Sequence, residues 1–362
     1  MPMLKPKYVI IAASMVMMSA AQFVSAQVAS AQEQIKVTVL SGYTDRTSWV
    51  RNLKEFFMPE VNKRLAKTGN YTLNYSEAFG TVVKPRGEFD ALQNGIGTIG
   101  LIVTAFHTDK VPLSSVSYVT PFVSTDLGLT SQVNDDITHS IPEVKAGWEK
   151  FGLEFLGHMG TIKSYAILSK EPIKALGDFE GIKVSGAGLN LRWIEGLGAV
   201  GVPSVLPKFY QEVNSGVSEA LIGWGDVVGA FKLCEVAPNF MSAEMGAVSN
   251  FTVVANKRWF DKQPDEVKTV LRDVTKEYRE LMADVTTKGD VKGQEACVAQ
   301  GGNVGTLSAE QRQAWANKLP NIAQEWAKAA DAKGLPGTAV LKSYMEKMRQ
   351  AGQPIVRQWD QE

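Results

Sequence analysis

Two hydrophobic patterns alternate early in the chain. In some segments every second residue is hydrophobic, and in the segments between them hydrophobic residues recur every three or four positions. Residues 35–40 and 71–76 alternate and predict strands, and residues 98–104 form an apolar run typical of a buried strand. Residues 44–66 and 88–94 have helical spacing, and the second of these segments is closed by Gly95. This β-α-β-α-β order predicts a mainly parallel sheet with helices on its faces.

A second block of short hydrophobic segments follows in the middle of the chain. The predicted strands are residues 153–158, 165–169, 182–185, 202–206, 220–224 and 249–256. A Gly-rich turn after the third of them leads into a predicted helix at residues 190–197. At 362 residues the chain exceeds what one hydrophobic core usually organises, so we expect two lobes.

The pattern changes again from Asp265 onward, where a long helix is predicted. Hydrophobic residues recur with helical spacing up to Val285, and no proline interrupts the pattern towards Cys297. A helix of roughly thirty residues is about 45 Å long, which exceeds the width of one lobe. It must therefore lie across both lobes. Residues 308–330 and 338–350 predict two terminal helices.

The first residues have the pattern of an export signal. Lys5 and Lys7 precede a short apolar run at residues 8–18, and the small residues that end at Ala26 and at Ala31 fit signal-peptidase sites. The apolar run is too short to span a bilayer as a permanent helix. We expect residues 1–31 to be a signal peptide cleaved near Ala26 or Ala31. An uncleaved membrane anchor is the alternative.

Composition and cysteine content narrow the class of protein. The chain is 44% hydrophobic and 21% charged with a formal net charge of zero, so no basic excess points to nucleic acid as a partner. Cys234 and Cys297 are the two cysteines. In an oxidising compartment they form either a disulfide or two free buried thiols, and the Cα separation decides between these.

Catalytic motifs are missing from the sequence. His107, His139 and His158 are scattered, without an i,i+4 pair or a carboxylate at metal-ligand spacing. Neither a nucleophile elbow nor a phosphate-binding P-loop occurs, and Asp135-Asp136 is interpreted as a solvated loop. We therefore predict a protein that is not an enzyme and that needs no cofactor.

Binding residues are expected where the predicted strands end. In open α/β sheets, ligands bind outside the carboxyl ends of the strands, where helix N-termini favour anions. Four such ends, at residues 43–44, 104–107, 185–192 and 223–226, carry the side chains Tyr43, Phe106, Ser185, Asn190, Arg192, Trp193, Trp224 and Asp226. Aromatic walls with a guanidinium and an amide suit a small carboxylate or sulfonate. Core packing is the alternative for each aromatic residue, and a solvated position is the alternative for Arg192.

An ordered series of short motifs runs through residues 172–259 of the chain. Its members are Pro172-Ile173, Asp178-Phe179-Glu180-Gly181-Ile182-Lys183-Val184, Leu197-Gly198-Ala199, Tyr210 with Val213, Gly216-Val217 and Glu219, and residues 232–238 and 252–259. In this order they resemble the solute-binding proteins of tripartite ATP-independent periplasmic (TRAP) transporters, which include dicarboxylate-binding members. Weaker similarities extend the resemblance over essentially the whole mature chain.

The resemblance implies an α/β fold, a two-lobed periplasmic-binding-protein clamp in which a long helix bridges both lobes. Each lobe is expected to contain a mainly parallel sheet flanked by helices. We place lobe I at residues 32–155 plus about 246–290, and lobe II at residues 156–245 plus about 291–362. The clamp is expected to close as a ligand bridges the lobes.

The resemblance also implies a function. It predicts a periplasmic receptor that captures a small organic anion and delivers it to the small and large membrane subunits of a TRAP transporter. The binding protein of an ATP-driven importer is the alternative, followed by an exported enzyme or a chemosensory module on the same scaffold.

One position departs from the family pattern. An arginine that clamps the ligand carboxylate usually follows the Lys-hydrophobic pair, whereas this chain has Ser185. The loss of a charged hydrogen-bond partner typically costs about 1.5–3 kcal/mol, so we expect another cation or another ligand. Arg192 is the first candidate and Lys163 the second, ahead of Lys84 and Arg86.

The aromatic residues at the strand ends indicate what kind of ligand replaces a dicarboxylate. Phe106, Trp193 and Trp224 offer more stacking surface than a small dicarboxylate needs, which favours an anion with an aromatic or apolar body. Tyr210, from the motif that ends at Glu219, and Lys163 complete the set of candidate ligand-binding residues.

Overall fold

The computed structural model describes residues 32–362, and the predicted signal peptide at residues 1–31 lies outside the described residues. Two mixed β-sheets form the centre of the fold. Their strands are β1 (Glu33–Ser41), β2 (Tyr71–Phe79), β3 (Ile99–Val103), β4 (Leu153–Met159), β5 (Ala166–Ser169), β6 (Lys183–Gly186), β7 (Val200–Pro203), β8 (Ala220–Gly223), β9 (Asn239–Ser242), β10 (Phe251–Asn256) and β11 (Asn303–Thr306).

Helices cover both sheets. They are α1 (Ser48–Asn52), α2 (Met58–Leu65), α3 (Glu88–Gln93), α4 (Val116–Val119), α5 (Leu127–Ser140), α6 (Pro142–Glu149), α7 (Phe209–Asn214), α8 (Gly225–Phe231), α9 (Lys257–Asp261), α10 (Asp265–Ala299), α11 (Ala309–Lys318), α12 (Ile322–Asp331) and α13 (Gly337–Gln350). A π-helical stretch, Leu53–Phe57, joins α1 to α2.

The first sheet has five strands in the order β2-β1-β3-β10-β4. β1 pairs in parallel with β2 and β3, as the β-α-β-α-β pattern predicts, because a helix carries the chain back after each strand. β10 is antiparallel to both β3 and β4, since it comes from the second sheet and enters at the edge where β3 leaves. The predicted α/β class is confirmed, and four of the five strands run in one direction while β10 runs against them.

The second sheet has six strands in the order β11-β9-β5-β8-β6-β7. β6 is parallel to β7 and β8, and β9 is parallel to β11, but β5 is antiparallel to β8 and β9. Five of its six strands therefore run in one direction, and β5 runs against them. β9 and β11 were not predicted from the sequence.

Helix α10 confirms the long helix that was predicted from Asp265. Its 35 residues correspond to about 52 Å. It packs on α2, α5 and β4 beside the first sheet, and on α8 and β11 beside the second. The hydroxyl of Tyr278, in the buried face of α10, donates a hydrogen bond of 2.5 Å to the backbone carbonyl of Trp49. The helix therefore contacts both halves of the fold.

Asp135 is not in a solvated loop, and that interpretation was wrong. It lies on α5 with 7% of its surface exposed, and it pairs with Arg279 of α10. It also accepts a 2.5 Å hydrogen bond from the backbone N–H of His158. Burial raises the pKa of Asp135 to about 6, while the charge of Arg279 acts in the opposite direction. Its polar partners come from distant segments, so the sequence alone did not reveal its burial.

Two predicted helices differ in extent. The helix predicted at residues 308–330 is divided into α11 and α12 around Pro320, which cannot continue a helix. The helix predicted at residues 190–197 is a short 3-10 segment, Gly188–Ile194. It ends before Gly196 and Gly198, whose φ angles of 77° and 81° leave the helical region.

The two cysteines are joined in a disulfide with a Cα separation of 5.4 Å. Cys297 lies on α10, and Cys234 lies in the turn after α8, so the bridge holds these two helices together. The proposed lobe boundary at residue 155 falls inside β4, which belongs to the first sheet. None of the helices within residues 32–362 combines the length and the apolar character that a membrane span requires.

Candidate ligand-binding cavity

A small cavity of about 30 Å³ lies where strand ends of the two sheets meet. Most of its wall is aromatic. The residues that line it are Tyr43, Trp49, Val103, Phe106, Tyr118, Ile162, Tyr165, Ala187, Leu206, Phe209, Trp224, Asn250 and Phe251. A site of this size holds one or two water molecules, so an organic molecule requires that the walls separate.

Each of the four predicted strand ends contributes to this wall. Tyr43 follows β1, Phe106 follows β3, Ala187 follows β6 and Trp224 follows β8. The carboxyl ends of parallel strands lie at the same edge of a sheet, which explains why the pattern located them.

Other wall residues were missed, and the topology explains why. β5 and β10 run antiparallel to their neighbours, so their beginnings lie at the edge where the parallel strands end. Tyr165, just before β5, and Phe251, at the start of β10, reach the cavity in this way. Trp49 has the helical spacing of a core residue, and nothing in the sequence distinguishes it from the other buried positions.

The aromatic rings pack mostly edge to face. Tyr43 and Trp49 have ring centroids 5.2 Å apart, and Tyr165 and Trp224 have centroids 5.8 Å apart. Phe251 lies 5.5 Å from Trp49. Such pairs stabilise the wall beyond the area that they bury, and they present ring faces and edges suited to an apolar or aromatic ligand.

Buried N–H groups give the wall its polar character. The indole Nε1 atoms of Trp49 and Trp224 are buried and have no hydrogen-bond partner within residues 32–362. Asn190, behind the wall, accepts a 2.8 Å bond from the backbone N–H of Ala187, while its Nδ2 is buried without a partner. Unpaired buried donors are costly, and an acceptor-rich ligand such as a carboxylate would relieve that cost.

Three tyrosines add hydroxyl groups to the same wall. Burial raises the pKa of Tyr165 to about 12, and it raises the pKa values of Tyr43 and Tyr118 well above their ordinary value of 10.0. These hydroxyls therefore stay protonated at neutral pH and can donate hydrogen bonds to an acceptor.

Of the ten predicted binding residues, Tyr43, Phe106 and Trp224 line the cavity. Trp193 lies behind the wall, fully buried, and its Nε1 donates a 2.6 Å bond to the carbonyl of Tyr118. The hydroxyl of Ser185 points elsewhere, to Glu212 Oε2 at 2.8 Å.

The predicted cations lie outside the cavity wall. Arg192 pairs with Glu195 at 2.8 Å and with Glu325 at 2.6 Å, and it lines a separate surface groove. Lys163 is half-buried beside the wall residue Ile162, and its charge acts on Asp290. The structure therefore does not bring Arg192 to the place where the aromatic residues meet.

The two remaining candidates have other contacts. Tyr210 donates a 3.2 Å bond to Glu235. Asp226, near the start of α8, accepts a 2.6 Å bond from the hydroxyl of Ser48 on α1. Burial raises the pKa of Asp226 to about 6, and the bond from Ser48 acts in the opposite direction. This bond connects the two sides of the cavity.

Close packing of α8 on α10 sets the position of Trp224. The backbone N–H of Gly225 donates a 2.9 Å bond to Asp290 Oδ1 on α10. A Cβ atom at Gly293 would overlap the carbonyl oxygen of Gly225, and one at Gly289 would overlap the carboxylate of Asp226. The absence of side chains at these two positions of α10 allows the approach. Trp224, directly before α8, is held by these contacts.

A buried carboxyl group supports the loop after β1. Glu88 has no exposed surface, and its Oε1 accepts a 2.6 Å bond from the backbone N–H of Gly42 and a 3.2 Å bond from the hydroxyl of Ser41. Burial raises the pKa of Glu88 from 4.5 to about 8. The group is therefore protonated at neutral pH.

Glu88→Gln is expected to remove a decline in stability with pH. Because the pKa is raised in the folded protein, the stabilisation is complete below pH 4.5 and is lost as the pH rises through about 8. Between pH 5 and 9 the wild type should lose about 2–4 kcal/mol relative to the variant in urea denaturation. Glu143→Gln, at an exposed position on α6, is the control, and parallel curves for Glu88→Gln and the wild type would contradict the burial argument.

Comparison with known proteins agrees with this architecture. The chain matches the family DctP, bacterial extracellular solute-binding protein, family 7, over residues 42–329.

Within residues 32–362, no group of three or more His, Cys, Asp or Glu side chains is arranged to hold a metal ion.

Several solved structures share the fold. A TRAP periplasmic solute-binding protein from Desulfovibrio salexigens, described as an open complex, superposes with a TM-score of 0.74 at 21% identity, covering 87% of this chain and 96% of that one. A marine metagenome TRAP protein specific for aromatic acid ligands, in complex with 3-hydroxybenzoate, has a TM-score of 0.76 at 19% identity, with coverages of 88% and 99%.

A third structure is the TRAP periplasmic solute-binding protein from Bordetella bronchiseptica with bound (R)- and (S)-mandelate. Its TM-score is 0.74 at 21% identity, and the match covers 88% of this chain and 99% of that one. At these identities the likeness establishes the two-lobed fold. Because the family match spans most of the chain, the protein belongs to family 7 of the bacterial extracellular solute-binding proteins.

Proposed function

We propose that the protein is a periplasmic receptor that captures a small organic anion with an aromatic or apolar body. It delivers this anion, chemically unchanged, to the small and large membrane subunits of a TRAP transporter. The observation that carries the proposal is the aromatic cavity between the strand ends, in which Trp49 and Trp224 have unpartnered indole N–H groups. Ring faces suit an apolar body, and N–H donors suit a carboxylate or sulfonate.

Several of the proteins of similar fold hold ligands of this class, whereas others hold pyroglutamate or galacturonate. The marine metagenome protein is described as specific for aromatic acids, and the Bordetella bronchiseptica protein holds mandelate. A structure from Rhodoferax ferrireducens contains benzoate. Each of these ligands combines one carboxylate with a six-membered aromatic ring, which is the combination that the cavity wall of this chain favours.

Ligand entry requires that the two sides of the cavity separate. We place residues 32–159 and about 246–290 in lobe I, and the remainder, 160–245 and about 291–362, in lobe II, because β4 pairs within the first sheet. The Ser48–Asp226 bond would then join the lobes in the closed form and break on opening. Helix α10, which packs against both sheets, would absorb part of the motion.

A ligand panel tests the proposal. Protein that has been unfolded and refolded to remove any co-purified ligand is titrated with benzoate, 3-hydroxybenzoate, mandelate and succinate. We expect at least one aromatic acid to bind more tightly than succinate, and to raise the unfolding free energy by about 2.7 kcal/mol at one hundred times its Kd. The bound acid should be recovered unchanged by NMR. Conversion of the acid, or failure of all three aromatic acids to bind, would refute the proposed function.

A further inference from the structure

The cavity wall lacks a positive charge to balance an anion. None of the described residues that line it is Lys or Arg. An anion that leaves water without a compensating cation is strongly disfavoured, so a charged partner is needed close by. Ser185 cannot supply it, and Arg192 is already paired with two carboxylates.

Arg86 lies against one wall residue of this cavity. Its guanidinium is 4.4 Å from the ring centroid of Phe106, one of the wall residues. The side chain is exposed, and within residues 32–362 it forms no salt bridge, in contrast to Arg192. Its positive charge also reaches Tyr43 on the wall. The pKa of Tyr43 is raised mainly by burial and further by Glu88 and Tyr165, and Arg86 acts against this rise.

The turn that carries Arg86 is held in place. It is a 3-10 turn, Pro85–Gly87, in which Pro85 is buried. The backbone of Lys84 and Pro85 lies against Gly42, where any side chain would collide with it. Because Gly42 directly precedes Tyr43 and donates its N–H to Glu88, the turn and the cavity wall share one rigid support. The backbone of Arg86 is therefore held in place, while its guanidinium remains available to a ligand.

We propose that Arg86 binds the charge of the ligand, in place of the arginine that the family usually has at the position of Ser185. The ligand is then a monoanion whose carboxylate faces Arg86 while its apolar body lies among the aromatic rings. This inference rests on the proposed function, and it names the residue that selects for charge. None of the residues that line the cavity within residues 32–362 offers a cation to a second carboxylate, so we expect a monocarboxylate to bind more tightly than a dicarboxylate.

Calorimetry with matched ligands tests the role of Arg86. The probes are the tightest-binding of benzoate, 3-hydroxybenzoate and mandelate, together with its uncharged primary amide. Arg86→Gln is expected to weaken binding of the acid by about tenfold to a hundredfold, while binding of the amide changes less than about threefold. Arg86→Lys keeps the positive charge but not the planar guanidinium, so its affinity for the acid should lie between those of the wild type and Arg86→Gln. The affinity of the wild type for the acid should also fall with added salt more steeply than that of Arg86→Gln.

Arg258→Gln is the control, because Arg258 is exposed on α9, beyond the far end of β10, and forms no salt bridge within residues 32–362. It should bind acid and amide as the wild type does. Equal acid binding by Arg86→Gln and the wild type would overturn the role of Arg86 and leave the proposed function standing. An equal loss for acid and amide would make Arg86 a structural residue and overturn its role in charge binding. Failure of the wild type to bind any of the three acids would overturn both proposals.

Discussion

Gly293→Ala is expected to lower the free energy of unfolding by about 1–3 kcal/mol and to weaken binding of aromatic acids at the cavity. The added methyl group would overlap the backbone carbonyl of Gly225, and a backbone atom cannot swing aside as a flexible side chain does. Helix α8 would have to move away from α10 and take Trp224 with it. Urea denaturation measures the first effect, and calorimetry with the acid measures the second.

The matched control for this variant is Gly147→Ala on α6. Within residues 32–362, no atom beyond its chain neighbours and the backbone of α6 lies within 4 Å of a Cβ at that position, so alanine should be neutral or stabilise the helix by up to about 1 kcal/mol. If Gly293→Ala were as stable as Gly147→Ala, the packing argument would be wrong. If its stability fell while its affinity for the acid stayed unchanged, the link from α10 to Trp224 would be wrong.

Removal of the disulfide should lower the free energy of unfolding by at least as much as Gly293→Ala does. Cys234 and Cys297 are 63 residues apart, and a loop of that length corresponds to a stabilisation of about 4 kcal/mol in the chain-entropy treatment, with measured losses of about 2–5 kcal/mol. Cys234→Ala/Cys297→Ala should therefore unfold at a markedly lower urea concentration than the wild type.

Treatment with reductant distinguishes the contribution of the disulfide bond to stability from that of the two cysteine side chains. Wild type that has been unfolded and refolded with reductant should approach the stability of the double variant, because Cys297 is buried and accessible only after unfolding. The double variant itself should not respond to reductant. A wild type whose refolded stability is the same with and without reductant would show that the bond contributes little.

Local patterns predicted those elements whose burial depends on their own sequence. β1 and β2 alternate, β3 is an apolar run and helix α10 has sustained helical spacing, and the structure has all four at nearly the predicted positions. β11, by contrast, has four mostly exposed residues, Asn303–Thr306, without an alternating pattern. Helix α5 was missed because it buries polar residues such as Asn134 and Asp135, which depend on partners distant in sequence.

The candidate site, like the fold, could be predicted where it depends on local sequence patterns. Strand ends located Tyr43, Phe106 and Trp224, because the direction of a parallel strand fixes the edge at which it ends. The pairing of Arg192 with Glu325 could not be predicted, because Glu325 lies 133 residues away and only the folded chain brings the two side chains together. The approach of Arg86 to Phe106 likewise depends on the neighbouring positions of β1 and β3, which no local pattern contains.

A crystal structure of the refolded protein with its tightest-binding aromatic acid is the most direct test of an anion held between the two sheets. We expect the ring of the acid among Tyr43, Phe106 and Trp224, with its carboxylate toward Arg86. Density for the acid in the larger surface groove of about 510 Å³ beside Ile173, Phe240 and Leu307, with the aromatic cavity unchanged, would contradict that placement.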